Sequence, residues 1–253
     1  MSGPDLGVLA AHLDEETAVL LEVLDAAGWT VADQVSHLAY FDGAATASVE
    51  GPERFAPYLE EAVRLGASLC DVVAERTRDR PPEALRAEWV EARAAMVTAM
   101  LGAGPSTRVP WYGPDFSVAS SMTGRIMETW AHGQDVYDAL GVAHPVTEGL
   151  YDVTRLCSRT RANSYAAHGR EAPAASIGLA LLSPDGQVWR FGDEGDGLIA
   201  GHAVEFCLVA TQRRHRADTT LVARGAAADE WLDLAQAFAG PPGTGREPTG
   251  RAR

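Results

Sequence analysis

The chain has 253 residues, with 35 acidic side chains against 21 basic ones and a formal net charge of -14. That balance argues against a nucleic-acid partner, whose phosphates require clustered cations. A hydrophobic share of 46% with 22% charged residues and a mean hydropathy of -0.10 describes a globular chain, long enough for one large domain or two modest ones.

The first residues, MSGPDLGVLAAHLDEE, lack the basic and apolar regions of a secretion signal. No run of about 18 apolar residues occurs, which predicts a cytoplasmic protein without membrane contact. Residues 5–26 carry Leu6, Leu9, Leu13, Leu20 and Leu24 at helical spacing and predict a first amphipathic helix. Gly28-Trp29 breaks it, and Thr30 with Asp33 matches a capping box for a second helix over about 31–48, which carries His37. Helical stretches follow over roughly 53–79 and 82–101, the latter opening at Pro81-Pro82, where a missing amide costs nothing.

A loop rich in glycine and proline, 102–114, precedes a helix from about Ser117 to Leu140, ended by Gly141. No strand is expected before that point, so the first 140 or so residues predict a bundle. A helix over 148–167 comes next. The period then changes: 176–182 and 187–191 around Pro184-Asp185-Gly186 read as a β-hairpin, 200–214 as a helix, 219–223 as a strand and 227–238 as a helix. We therefore expect domains over 1–145 and 146–239 and a disordered tail over 240–253. Cys70, Cys157 and Cys207 are far apart and lie among apolar neighbours, so they are expected as buried packing thiols.

Glu128 and His132 stand four apart on the predicted helix 117–140 and can reach one ion. Ser121, Arg125 and Asp135 fall within about 60° of them, forming a polar stripe that borders the apolar face. The same spacing also describes a solvated surface pair. His37, set among Val35, Leu38, Tyr40 and Phe41, needs a buried partner, which can be a hydrogen bond as well as a metal.

Asp135 is a candidate to orient His132, and Trp111 with Tyr112 a candidate pocket wall. Arg213 and Arg214, in the densest basic cluster of the chain, suit a substrate carboxylate, although cations there also suit the end of a helix.

The segments GWTVADQVSHLAYFD and, about 90 residues later, METWAHGQDVYDALG resemble the DinB-like, mycothiol-dependent maleylpyruvate isomerase family of actinobacteria. The likeness extends over nearly the whole chain, including RVPWYGP and FCLVATQRRHRADTTLVA. It implies an α+β chain, with a DinB-like four-helix bundle followed by a small α/β, sterol-carrier-like, domain. It further implies that His37, Glu128 and His132 bind a divalent metal, usually zinc, and that mycothiol is the thiol cosubstrate.

Three protein ligands leave an open fourth position, where the ion can make a thiolate, polarise a carbonyl or activate water. Three readings follow: a thiol S-transferase or isomerase acting on a small electrophile, a thiol-independent hydrolase or lyase of natural-product metabolism, and a non-catalytic metal-binding module. Either a monomer or a homodimer is compatible with all three.

Overall fold

A computed structural model describes residues 4–24, 29–243 and 245–250, with the side chains of 22–24, 29 and 30 outside that description. The chain divides into two compact units, Met1–Gly149 and Leu150–Arg253.

The first unit is built on four long helices, α1 (Leu6–Leu24), α2 (Trp29–Glu50), α5 (Pro82–Ala103) and α6 (Val118–Leu140). Two shorter ones, α3 (Pro52–Leu65) and α4 (Leu69–Thr77), lie beside α2. The single helix expected over 53–79 is two because Gly66 adopts φ 55°, which ends α3 before a 3₁₀ turn at Gly66–Ser68. Of the expected break and capping box ahead of α2, Gly28 and the Thr30 side chain lie outside the described residues. Asp33 sits inside α2, with Oδ2 3.9 Å from Arg78.

Apolar periodicity explains the bundle. Leu20, Val31, Val35, Leu38, Trp89 and Val136 meet in one cluster from α1, α2, α5 and α6. Helix α6 is buried around most of its girth; the Ser117 hydroxyl caps its start by accepting from the Ser120 amide at 3.1 Å, and Gly141 closes it at φ 69°. The loop before α6, read as strandless, contains a minimal ladder in which β1 (Arg108–Val109) pairs antiparallel with β2 (Phe116–Ser117).

In the second unit, α7 (Leu150–Cys157) and α8 (Arg161–Ala167) precede a sheet of β3 (Ile177–Leu182), β4 (Val188–Phe191), β5 (Gly197–His202) and β6 (Val222–Arg224). The strand order is β4-β3-β5-β6, with β3 and β5 parallel and the other pairs antiparallel. Helices α9 (Ala203–Ala210) and α10 (Ala226–Leu234) complete it, around Val153, Leu181, Ile199, Phe206 and Trp231. The sequence reading missed β5 and assigned its end to a helix.

The cysteine expectation holds for Cys157 and Cys207, which are buried and, though distant in sequence, adjacent; the Cys207 thiol and burial push Cys157 well above its ordinary value. Cys70 is exposed and corrects the expectation. Residues 240–243 and 245–250 form no helix or strand, yet the Thr249 amide and hydroxyl donate to Asp218 at 2.8 and 2.9 Å.

Candidate metal centre

Helices α2 and α6 bring three ligand-type side chains together. Nε2 of His37 lies 3.3 Å from Oε2 of Glu128, and Nε2 of His132 lies 3.2 Å from the same oxygen. The two imidazole centroids are 4.3 Å apart, and one ligand atom from each residue lies within 4.8 Å of the others. The two nitrogen–oxygen separations are close to the edge of a tetrahedron with bonds of about 2.0–2.1 Å, the length of a zinc–nitrogen bond. The side chains of His37, Glu128 and His132 are 18%, 22% and 15% exposed, which leaves the cluster reachable from solvent.

Nδ1 of His132 faces the Gln34 side-chain oxygen in a short hydrogen bond. An amide oxygen only accepts, so the imidazole donates from Nδ1 and directs Nε2 toward the Glu128 carboxylate. Two lone pairs facing each other are favourable only with a cation between them, either a proton or a metal ion. Burial pushes the Glu128 carboxyl upward, but the hydrogen bonds and charge of His132 and His37 outweigh it and hold the group well below the usual carboxylate range. The donor set therefore fits a divalent ion: two imidazoles and one carboxylate converge on one point, with the fourth direction free of a fourth protein ligand among the described residues.

Asp135 lies half-buried beyond His132 on α6, but the described contact at His132 Nδ1 is with Gln34. Trp111 and Tyr112 do join the neighbourhood of His37, through a run of rings: His37 packs on Phe41 at 4.5 Å, Phe41 on Tyr112 at 5.7 Å, and Tyr112 on Trp111 at 5.0 Å. The Tyr112 hydroxyl is buried beside the Tyr40 phenol without a well-formed hydrogen bond, and burial followed by that neighbour pushes its acidity far down. Arg213 and Arg214 lie in the turn after α9, in the second unit, where Nη1 of Arg213 donates to the Thr211 carbonyl at 2.8 Å. The three-residue cluster is made by the first unit alone.

Sequence reasoning missed three residues around the cluster, Gln34, Asp42 and Arg93, and placed Arg125 only in the polar stripe of α6. Gln34 carried no signal of its own. Asp42, Arg93 and Arg125 form a buried ionic network: Asp42 accepts from Arg93 Nε at 2.7 Å, Arg125 Nε at 2.9 Å and Trp89 Nε1 at 3.1 Å. Arg93 also donates to Thr17 at 2.6 Å and Thr129 at 3.0 Å. Arg93 was detectable, because it continues the helical series Leu85, Trp89, Met96, Met100 on the buried face of α5.

Comparison with known proteins gives the family of the chain. A family model described as the mycothiol maleylpyruvate isomerase N-terminal domain matches residues 5–137, more than half of the chain. An uncharacterized protein of Mycobacterium tuberculosis, found in two strains, is 36% identical over 243 residues, covering 96% of this chain and 94% of the relative. Among solved structures, the crystal structure of the mycothiol-dependent maleylpyruvate isomerase is similar with a TM-score of 0.56 at 13% identity, covering 88% of this chain and 95% of that one. A histidine-to-alanine mutant of it gives 0.58 at 14% over the same shares. At that identity the likeness shows the fold, a helical part followed by a small α/β part as the motifs implied. From the family model together with the long relative, the chain belongs to the mycothiol maleylpyruvate isomerase N-terminal domain family.

Proposed function

We propose that the chain is a divalent-metal-dependent enzyme that uses mycothiol on a small electrophilic substrate, as a thiol S-transferase or an isomerase working through a thiol adduct. Two imidazoles and one carboxylate with an open fourth position suit zinc. The observation that carries the reading is the convergence of His37, Glu128 and His132 within 4.8 Å, in a family named for a mycothiol-dependent isomerase. When bound, the ion supplies a Lewis acid that lowers the pKa of a thiol or polarises a carbonyl.

The chain's own residues prepare the site. His37, Glu128 and His132 would hold the ion, and Gln34 keeps the His132 proton on Nδ1 so that Nε2 is available. The rings of Phe41, Tyr112 and Trp111 continue from His37 and offer a flat apolar wall with a phenol. Arg213 and Arg214 remain candidates for a substrate carboxylate on the chemistry of the guanidinium fork, and Asp135 for a polar role beside His132. In this reading residues 1–145 are the metal-binding domain and the protein works in the cytoplasm. Among the described residues, no helix is long and apolar enough to cross a membrane.

Elemental analysis of wild type beside His132→Ala, followed by turnover of electrophiles with and without mycothiol, tests the proposal. Metal bound by the wild type alone, with mycothiol-dependent turnover, is the expected result. Metal-replete protein that never alters mycothiol consumption sinks the thiol chemistry, and turnover without any thiol replaces it with metal-dependent hydrolysis or lysis.

A further inference from the structure

Three side-chain contacts run along the contact between α2 and α6: Gln34 with His132, His37 with Glu128, and Asp42 with Arg125. Residue numbers rise along α2 as they fall along α6, so the two helices are antiparallel and the candidate ligands occupy the middle contact. At about 1.5 Å of rise per residue, the outer contacts stand roughly 10–12 Å apart along the helix axes. One contact would leave the helices able to rotate about it, whereas two at that separation fix both slide and rotation. A slip of one residue on α2 carries a side chain about 1.5 Å along and about 100° around the axis, which would take His37 away from Glu128.

The contact at the Asp42 end is the stiffer one. Asp42 is 0% exposed and Arg93 and Arg125 are each 3% exposed. The network reaches all four long helices: Thr17 on α1, Asp42 on α2, Trp89 and Arg93 on α5, Arg125 and Thr129 on α6. Thr17 and Thr129 also donate back to the carbonyls of Leu13 and Arg125, so each threonine oxygen is held from two sides. A buried ionic network is weak evidence for stability but good evidence for a specified register, because any other alignment strands a charge away from water.

We infer that Asp42 and Arg125, anchored by Arg93, are positioning residues for the ion site, and that with Gln34 at the other end they set the α2–α6 register in which His37 meets Glu128 and His132. The inference rests on the metal reading given above. None of the three network residues belongs to the ligand cluster. Their effect is to keep the ligand atoms converged before the ion arrives, so that binding does not have to order the helices.

The cluster's stoichiometry supplies a test that separates positioning from folding. Two guanidiniums share one carboxylate, so Arg125→Met removes the α2–α6 strut yet leaves Asp42 paired with Arg93 and Trp89, with no charge unmatched. Zinc affinity is measured by competition with a chromophoric chelator, the d–d spectrum is recorded for the cobalt(II) form, and thermal unfolding of the metal-free protein is followed for wild type and variant. The expected result is an unfolding midpoint within a few degrees of wild type, zinc affinity lower by about 10–100-fold and a changed cobalt spectrum, the size of loss found when outer partners of a metal site are removed.

Wild-type affinity and spectrum in a folded Arg125→Met protein overturn the inference. If that variant does not fold, Arg125→Lys, which keeps the charge and loses the Nε donor to Asp42, takes its place under the same two criteria. A wild type that takes up neither zinc nor cobalt overturns the metal reading itself and this inference with it, an outcome distinct from equal affinity in the two proteins.

Discussion

Two polar clusters sit on the same pair of helices and are built on opposite terms. Around Asp42, both carboxylate oxygens are donated to, by two guanidiniums and an indole, and no water reaches them. Around Glu128, one carboxylate oxygen faces two imidazoles whose protons are partly claimed elsewhere, and the side chains stay 15–22% exposed. A cluster whose carboxylate is filled by buried protein donors can only hold geometry, whereas three ligand-type side chains converging where solvent reaches can take something up. Chemistry is expected at the second, and rigidity comes from the first.

The largest effect expected from attacking this contrast is on stability. Asp42→Asn leaves two buried arginines facing a neutral amide, and urea unfolding should give a loss of about 3–5 kcal/mol, the range for breaking a buried ion pair from one side. His132→Ala should do the reverse. It should abolish stoichiometric zinc in elemental analysis, while the unfolding midpoint of the metal-free protein stays near wild type, because the residue lies on an open edge. If His132→Ala unfolds the protein and Asp42→Asn does not, the roles assigned to the two clusters are wrong.

A third buried carboxyl sharpens the comparison because it lacks the cations that Asp42 has. Glu16 accepts from Thr147, its other oxygen has no hydrogen bond, and His144 Nε2 stands 3.9 Å away. Burial pushes Glu16 up to about 7 from 4.5, and the same cause pulls His144 down to about 4 from 6.5. Glu16, raised in the fold, contributes stability that is complete below pH 4.5 and is lost as pH climbs through 7. His144, depressed in the fold, contributes stability that is present above pH 6.5 and is lost as pH falls through 4. Glu16→Gln should therefore match wild type near pH 4.5 and exceed it above pH 7, by on the order of 3 kcal/mol in denaturant unfolding, from the 1.36 kcal/mol carried by each pKa unit. Equal stability of the two proteins at pH 8 would show that Glu16 is solvated or paired after all.

The smallest effect belongs to Gln34. Gln34→Ala frees the His132 ring to turn and to carry its proton on Nε2, and should lower zinc affinity by about 10-fold with no measurable change in the metal-free unfolding curve. Unchanged affinity there, beside a loss in Arg125→Met, would assign the register to the Asp42 end alone.

Much of this was legible in the sequence, for identifiable reasons. The long helices announce themselves through leucine spacing, Pro81-Pro82 and Gly141, and the family likeness carried by the segments around His37 and Glu128 is borne out by the family model and the long relative. The four-apart pair on α6 was readable because a helix maps spacing onto distance. Contacts between helices have no such rule. The meeting of Arg93, Asp42 and Arg125 spans 51 and 83 residues of sequence, and only the packed bundle states it. The strand β5 was missed for a different reason: it holds Gly197 and Gly201, with Gly201 at φ 148°, so its period-two signal is diluted, and it runs straight into α9.

The missed strand has a consequence for synthesis. It lies between β3 and β6, so when a ribosome has released only the hairpin 177–191, one whole side of the apolar segment IGLALL still has its amides and carbonyls unmatched. That edge is a template for another nascent chain until Gly197–His202 emerges and docks in parallel. Truncated chains ending between 192 and 196 should accumulate as aggregates, whereas those ending before 177 avoid the hazard by never exposing the strand.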